Sequence, residues 1–568
     1  MKTSPARYYA RFYRSSCATL VLDVLISVGR SLLILPVAFL VRYSFDTIIP
    51  AGDFGRLMLC GFGILALTLA GGGLTLWTRF VTLKITKEAI RRFRRELLKK
   101  LYALSRSYSS KANIGEIHGR IVQDTERLDI MSNALIAQLF PSLVTALGLC
   151  AVLVYLNPLL FLVLAAIAPL LYLLSRWLGR SVKASVRVFR KSFEDFSKGI
   201  LSALQMMDLT RSRGAEQFEI ETRSRTIDDL RRTGRRMAWL NAAYQTVHDS
   251  MVGAAGVAIL VVGGRAVLSG GMTVGELLSF FVAVGLLRSS LGTISSTIPQ
   301  IIAGYESLKL LVDDLEVTDE GPYFGTRRAE LTGEVLLESV TFGYQSDRAV
   351  LKNIDFRIAP RETAALLGPS GAGKSTLTYL ILGFYKPQEG RIEVGGRPLS
   401  DLDLAWARGQ IGLVPQKPLL FPGTIRENLV YGKNGIASSQ VIEAAQAAGA
   451  HECILNLPAG YDTQVGEEGV LLSGGQRQKI AIARALIGRP KILILDEPTN
   501  NLESDEGRKL LLNFKALDPP PSILIISHDL EILKAADSVF VLDDGVIVDA
   551  GPPLEMVRKP SFRGLVGS

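Results

Sequence analysis

Cysteine is scarce in this chain of 568 residues: Cys17, Cys60, Cys150 and Cys453 stand apart, with no CxxC pair. That excludes a disulfide framework and a cysteine-ligated zinc site, and leaves small buried hydrophobes as the reading for the three in or beside apolar runs. A signal-peptide ending is also missing. The opening MKTSPARYYARFYRSS is basic and aromatic, but the apolar run behind it is long, contains Asp23 and Arg30, and shows no small-residue cleavage site. It reads as a retained span preceded by a segment lying on the membrane surface. Beyond about residue 305 long apolar runs cease, which divides the chain in two.

What the first part does contain is six apolar runs long enough to cross a bilayer, at 16–41, 57–80, 131–156, 158–178, 244–268 and 274–303. Lys and Arg number 64 against 54 Asp and Glu, and the excess lies mostly between these runs, in RRFRRELLKK (91–100) and RRTGRRM (231–237). Basic loops beside apolar spans put those loops on the cytoplasmic side and argue against a nucleic-acid partner. The connections 81–130 and 179–243 are long, and KITKEAIRRFRRELLKKLYALS within the first has neither Pro nor Gly. They are expected to carry the spans on as helical stalks, with turns near 115–129 and 208–218. Both termini fall in the cytoplasm, and the predicted localisation is a bacterial inner or plasma membrane. Asp23, Arg30, His248, Asp249 and Arg288 are the unusual ionisable groups at span depth, either cargo contacts or intramembrane pairs.

A charged connector containing Gly and Pro, 317–333, separates this all-α polytopic membrane domain (1–316) from residues 334–568. There EVLLESVTF, TAALLG, QIGLVP, KILILD and SILIIS alternate with helical stretches, the rhythm of an α/β domain with a largely parallel sheet. GPSGAGKST follows the strand TAALL and opens a helix, meeting the G-x-x-x-x-G-K-[ST] pattern in its strand–loop–helix setting. Gly368, Pro369, Ser370, Gly371, Ala372, Gly373, Lys374, Ser375 and Thr376 thus form a phosphate loop. Its glycines let N–H groups converge on phosphate, Lys374 neutralises it, and Ser375 offers a hydroxyl to Mg²⁺. Asp496, ending ILILD, is placed to hold the Mg²⁺ hydration shell, and Glu497 to orient or deprotonate the attacking water. His528, after SILIIS, points toward the same pocket and is read as a γ-phosphate contact.

Together these motifs resemble the ATP-binding cassette family over the whole C-terminal domain, a P-loop NTPase of the ABC cassette type. The resemblance implies ATP and Mg²⁺ as ligands, Gln416 in LVPQKP as a further Mg²⁺ contact, and Tyr344 in VTFGY as the ring that stacks on adenine. LSGGQ, comprising Leu472, Ser473, Gly474, Gly475 and Gln476, resembles the family's signature loop, which binds the γ-phosphate held by the other subunit. Six spans fused to one cassette resemble an exporter-type half-transporter. The implied function is ATP-driven export or flipping by alternating access, in a dimer with a second half (a homodimer favoured), in contact with membrane lipids and an unidentified cargo. A siderophore-type importer on the same fold and an ATP-gated channel or regulator are the alternatives. TQVGEEG (463–469) resembles the exporter loop before the signature, and 115–129 the first cytoplasmic turn that transmits motion. The chain departs from the family at Asn500-Asn501-Leu502-Glu503, where Ser-Ala-Leu-Asp is usual, and at Gln464 and Glu468.

Overall fold

The computed structural model describes residues 4–111, 114–319, 321–345, 347–499 and 504–566. The chain forms two compact units, Met1–Leu98 with Gly115–Glu316, and Lys99–Ile114 with Val317–Ser568.

The first unit is helical throughout. A short helix α1 (Pro5–Ala10) precedes α2 (Cys17–Leu32) and α3 (Leu35–Tyr43), which are separated just ahead of Pro36, a residue without an N–H for the ladder. Then come α4 (Phe54–Ala103), whose last turn belongs with α5 (Arg106–Lys111) to the second unit, and α6 (Ile114–Gly119), α7 (Thr125–Asn133), α8 (Phe140–Leu156), α9 (Pro158–Gln205), α10 (Met207–Ser212), α11 (Glu216–Leu268) and α12 (Val274–Leu315). Among the described residues five helical stretches are long and apolar enough to cross a membrane. The remaining expected span coincides with the start of α9, where the described apolar stretch is Pro158–Ile167.

The stalks are present. α4 has 50 residues, α9 has 48 and α11 has 53, so each is about 75 Å long, far more than a bilayer core needs. The first reversal, however, is not at 115–129. The chain turns back at 104–111, and 117–156 already rises as one helical run. The second reversal lies where expected, with Gly214 at φ +59 between α10 and α11.

Helix starts are set by local chemistry. The Asn157 side chain accepts from Leu160 N at 3.0 Å, with Pro158 in the first turn of α9. Thr273 and Glu276 form a capping box at the start of α12. The Asp46 carboxylate accepts from Gly275 N at 2.8 Å and Thr273 Oγ1 at 2.6 Å, while Arg42 pairs with Glu276 at 2.6 Å. This polar knot fastens the end of the first span to the start of the last. α12 packs along α3, α7 and α8, and α9 chiefly along α11.

The second unit is built around a six-stranded sheet. In chain order its strands are β1 (Val335–Phe342), β2 (Leu351–Ile358), β3 (Thr363–Leu367), β4 (Glu389–Val394), β5 (Ile411–Val414), β6 (Ile492–Asp496), β7 (Ser522–Ile526), β8 (Ser538–Asp543) and β9 (Val546–Gly551). The large sheet runs β5-β6-β7-β3-β8-β9, and a smaller antiparallel one runs β2-β1-β4. β5, β6, β7, β3 and β8 pair in parallel, so their carboxyl ends share one edge of the sheet. β3 and β7 are buried along their whole length, which is why they read as unbroken apolar runs. Residues 99–114 group with this unit through Ser105 N to Asp319 O at 2.8 Å and the Arg106 guanidinium 3.9 Å from the Tyr379 ring centre.

A Cβ on Gly304 of α12 would lie 2.2 Å from the Met131 Cβ and 2.8 Å from the Arg127 carbonyl of α7. Gly304→Ala is therefore expected to destabilise the detergent-solubilised protein by about 1–3 kcal/mol through overpacking. Gly285→Ala, in the same helix with nothing within 4 Å, leaves the melting temperature unchanged or raised. Scanning fluorimetry of the two variants checks the contrast.

Candidate functional site

The order of four parallel strands assembles the site. From the edge inward, their carboxyl ends deliver Gln416 after β5, Asp496 and Glu497 at β6, His528 after β7 and the phosphate loop after β3. Residues more than a hundred positions apart thus meet on one sheet edge, the usual place for ligands in open α/β sheets.

The loop Gly368–Thr376 runs from β3 into α13 (Lys374–Ile381). Gly371 and Gly373 have φ of +89 and +110, which only glycine adopts without strain. Nothing of the protein lies within 4 Å of a Cβ built on Gly371, so that side of the loop is open to a ligand. Lys374 Nζ donates to Gly368 O at 2.5 Å and Pro369 O at 3.0 Å, which holds it over the loop. Ser375 is exposed in the first helical turn, and Thr376 Oγ1 shares a 2.9 Å hydrogen bond with the Tyr344 hydroxyl. Tyr344 is 49% exposed and packs edge-on against Phe342 and Tyr385, with ring centres 5.2 and 5.3 Å away. The cluster fixes the ring and leaves one face outward.

Glu497 is mostly buried and holds a left-handed backbone, φ +49, an arrangement that costs on the order of 1–3 kcal/mol. Its N–H donates to Ile526 O of β7 at 2.8 Å, and its Oε1 lies 3.3 Å from His528 Nε2. Burial pushes the Glu497 carboxyl up, the neighbouring Asp496 charge pushes it further, and Lys374 opposes both. Burial also raises Asp496, against the pull of Lys374. Lys374 is lowered by burial despite the two carboxylates, and His528 is lowered by burial and by Lys374. The result is a basic, partly dry carboxylate beside a neutral imidazole, suited to taking a proton from water.

The second loop is held from below. Leu472 is 5% exposed, anchored in the cassette core, and Ser473 begins the helix Gly474–Leu486. Ser473 N donates to Gln476 Oε1 at 2.9 Å and Ser473 Oγ accepts from Gln476 N at 3.2 Å. Arg477 Nη1 donates to the Leu472 carbonyl at 2.9 Å. Among the described residues no hydrogen bond joins this loop to Gly368–Thr376. Residues 500–503 and the side chain of Glu468 lie outside the described residues. Gln464 makes an isolated bridge to Thr424.

Two family descriptions match the chain, "ABC transporter transmembrane region" over residues 20–291 and "ABC transporter" over residues 351–500. The ATP-dependent lipid A-core flippase of Nitrosococcus oceani is 33% identical over 88% of this chain and 85% of that protein. The chain belongs to the ABC transporter family. The ABC transporter ATP-binding protein YwjA of Bacillus subtilis is 28% identical over 97% of this chain and 96% of its own length. The fold is that of a bacterial Atm1-family ABC exporter solved with ATP bound, with TM-score 0.76 and 24% identity over 96% of both chains. As an ABC transporter, this membrane protein binds ATP and couples its hydrolysis to transport.

The four ionisable groups at span depth whose side chains are described do not form one site. Asp23 is 2% exposed and accepts from Thr82 Oγ1 of α4 at 2.5 Å, while Arg30 donates to Thr75 Oγ1 at 3.2 Å. Both join α2 to α4, which leaves Asp23 with almost no surface to offer a cargo. Arg288 Nη2 meets Asp249 Oδ1 at 2.6 Å across α12 and α11, with both side chains more than half exposed. The side chain of His248 lies outside the described residues. Sequence reasoning missed the knot of Arg42, Asp46 and Glu276. The Thr273-x-x-Glu276 capping pattern ahead of an apolar run was the available signal.

Because the folded protein holds Glu497 above the ordinary carboxylate range, its ionisation opposes folding. Stability from this group is full below pH 4.5 and is lost as pH rises through the raised value. Glu497→Gln is expected to abolish ATP hydrolysis and raise cassette stability at neutral pH. That gain shrinks as pH falls toward the usual carboxylate range. Paired ATPase assays and melting curves across pH give both readings, and a gain that persists unchanged in acid contradicts the assignment.

Proposed function

We propose that two copies of this chain form a homodimeric exporter in which each ATP is held between the phosphate loop of one copy and the LSGGQ loop of the other. The observation that carries this is the assembly of Gln416, Asp496, Glu497, His528 and the phosphate loop along one sheet edge, in a chain whose other unit is built of membrane-length helices. The signature loop is capped and anchored on its own, and its exposed serine suits a ligand brought by a second copy.

The loop N–H groups and Lys374 bind the β- and γ-phosphates, and Tyr344 stacks on adenine. Ser375, Gln416 and Asp496 supply hydroxyl, amide and carboxylate oxygens, a hard donor set that fits Mg²⁺. When bound, Mg²⁺ neutralises charge building on the phosphates. Glu497 accepts a proton from water as its oxygen bonds to the γ-phosphorus and the bond to the bridging β–γ oxygen breaks. His528 Nε2, neutral and next to Glu497, contacts the γ-phosphate and orients the carboxylate.

The cassettes and both termini lie on the cytoplasmic side of a bacterial inner membrane, and the cargo is an amphipathic or lipid-like molecule. Flippases among the relatives support that class, and the importer and channel readings have no such support.

A complementation experiment tests the composite site. Lys374→Ala and Ser473→Arg chains are each expected to be inactive as homodimers in lipid nanodiscs. Co-assembled, they leave one intact pair of loops and regain a substantial part of wild-type ATPase. Mixed dimers with no activity sink the shared-site arrangement.

A further inference from the structure

Three side-chain oxygens of the helical unit are fully buried and accept no hydrogen bond from any described residue: Asp23 Oδ1 on α2, and Asp129 Oδ1 and Asn133 Oδ1 on α7. An acceptor shut away from water without a donor is costly, and a carboxylate is the costliest case. Contacts with α4 bring the three to one place. Thr82 Oγ1 donates to the second Asp23 oxygen at 2.5 Å, and Lys87, further along α4, pairs with the second Asp129 oxygen. Thr82 and Lys87 are about 7.5 Å apart along the helix axis. α4 and α7 run in opposite directions, since Arg94 bonds Thr125 at 2.8 Å while Lys87 meets Asp129. Asn133, about one turn past Asp129 on the same face of α7, is therefore carried about 6 Å back toward the level of Thr82 and Asp23.

Asp23 is 2% exposed and Asp129 6%. Lys87 neutralises Asp129, whereas Asp23 has only the Thr82 hydroxyl. Arg30, about two turns along α2, donates instead to Thr75 Oγ1 at 3.2 Å, and no ion pair with Asp23 occurs among the described residues. A single negative charge is left over, among carboxylate, amide and hydroxyl oxygens. Hard oxygen donors of that net charge suit a small monovalent cation; a divalent ion would leave a positive excess at the edge of the hydrocarbon.

We infer that α2, α4 and α7 hold a sodium ion between them, with Asp23 and Asn133 as ligands, Asp129 completing the oxygen set, and Lys87 positioning Asp129. The second apolar run ends at 80 and the third begins at 131, so the site lies where these spans leave the hydrocarbon. Asn133 keeps part of its surface exposed and the Lys87 side chain is 58% exposed, which gives the ion a route from the headgroup layer. Occupied, the site joins the first three spans through one charge. It needs no nucleotide, and it stands whether or not the chain is an exporter.

The test uses the full-length protein in phosphatidylcholine nanodiscs without nucleotide, titrated with radioactive sodium against choline chloride at constant ionic strength. Saturable binding of a single ion per chain is expected, with a melting temperature that rises as sodium replaces choline. Asp23→Asn, nearly the same size, should abolish both effects. In choline alone that variant melts at or above the wild type, because the leftover charge is gone, and this separates loss of the ligand from loss of the fold. Asn133→Ala, a change at a partly exposed residue, weakens binding about tenfold. Asp249→Asn, at another carboxylate of span depth, leaves binding unchanged. Sodium binding that survives Asp23→Asn overturns the inference. So does an absence of saturable binding at both neutral and alkaline pH, because Asp23 is then a neutral acid that holds its own proton.

Discussion

Two neighbouring carboxylates kept partly out of water set the terms for the cassette. Asp496 and Glu497 end the buried strand β6, and each is pushed toward its neutral form by burial. Lys374 offsets part of that penalty from the phosphate loop, where burial in turn pushes it toward its own neutral form. Lys374 thus makes each carboxylate more tolerable, while the Asp496 charge works against that of Glu497, and strand order is what brings the three together. The strained backbone at Glu497 belongs to the same arrangement. It turns the second carboxylate away from the first, so two adjacent acids take separate roles on one strand end.

The membrane unit answers a different constraint. Hydrocarbon offers no partner to a backbone N–H or C=O, so the spans must be helical, and here the helices continue well past the bilayer. The polar groups at span depth are used between helices. Asp23 with Thr82, Arg30 with Thr75, and Arg288 with Asp249 each tie two spans together. Glycine does the complementary job at Gly304, where the close approach of α7 leaves no room for a side chain.

The sequence was most legible where one physical signal dominated. β3, β6 and β7 are almost wholly buried parallel strands, so they appeared as continuous apolar runs, and the phosphate loop carried a pattern tied to its strand and helix. The first reversal, expected at 115–129, was misplaced: Gly115 and Gly119 both sit in helix. The true reversal at 104–111 contains no Gly or Pro and is marked only by serines, whose side chains compete with the helical ladder. Contacts such as Glu497 with His528 and Asp23 with Thr82 depend on which strands and helices are neighbours. Spacing along the chain does not encode that directly, so the residues were legible and their partners were not.

The hairpin of α9 and α11 gives the molecule an uneven distribution of cohesion. These two long helices pack chiefly along each other, while α12 is embraced by α3, α7 and α8. One end of the hairpin enters the core of its unit through Leu160 and Ile259, while the remainder is held chiefly by its own two helices. During synthesis it can zip as soon as α11 emerges, before α12 exists to complete the rest.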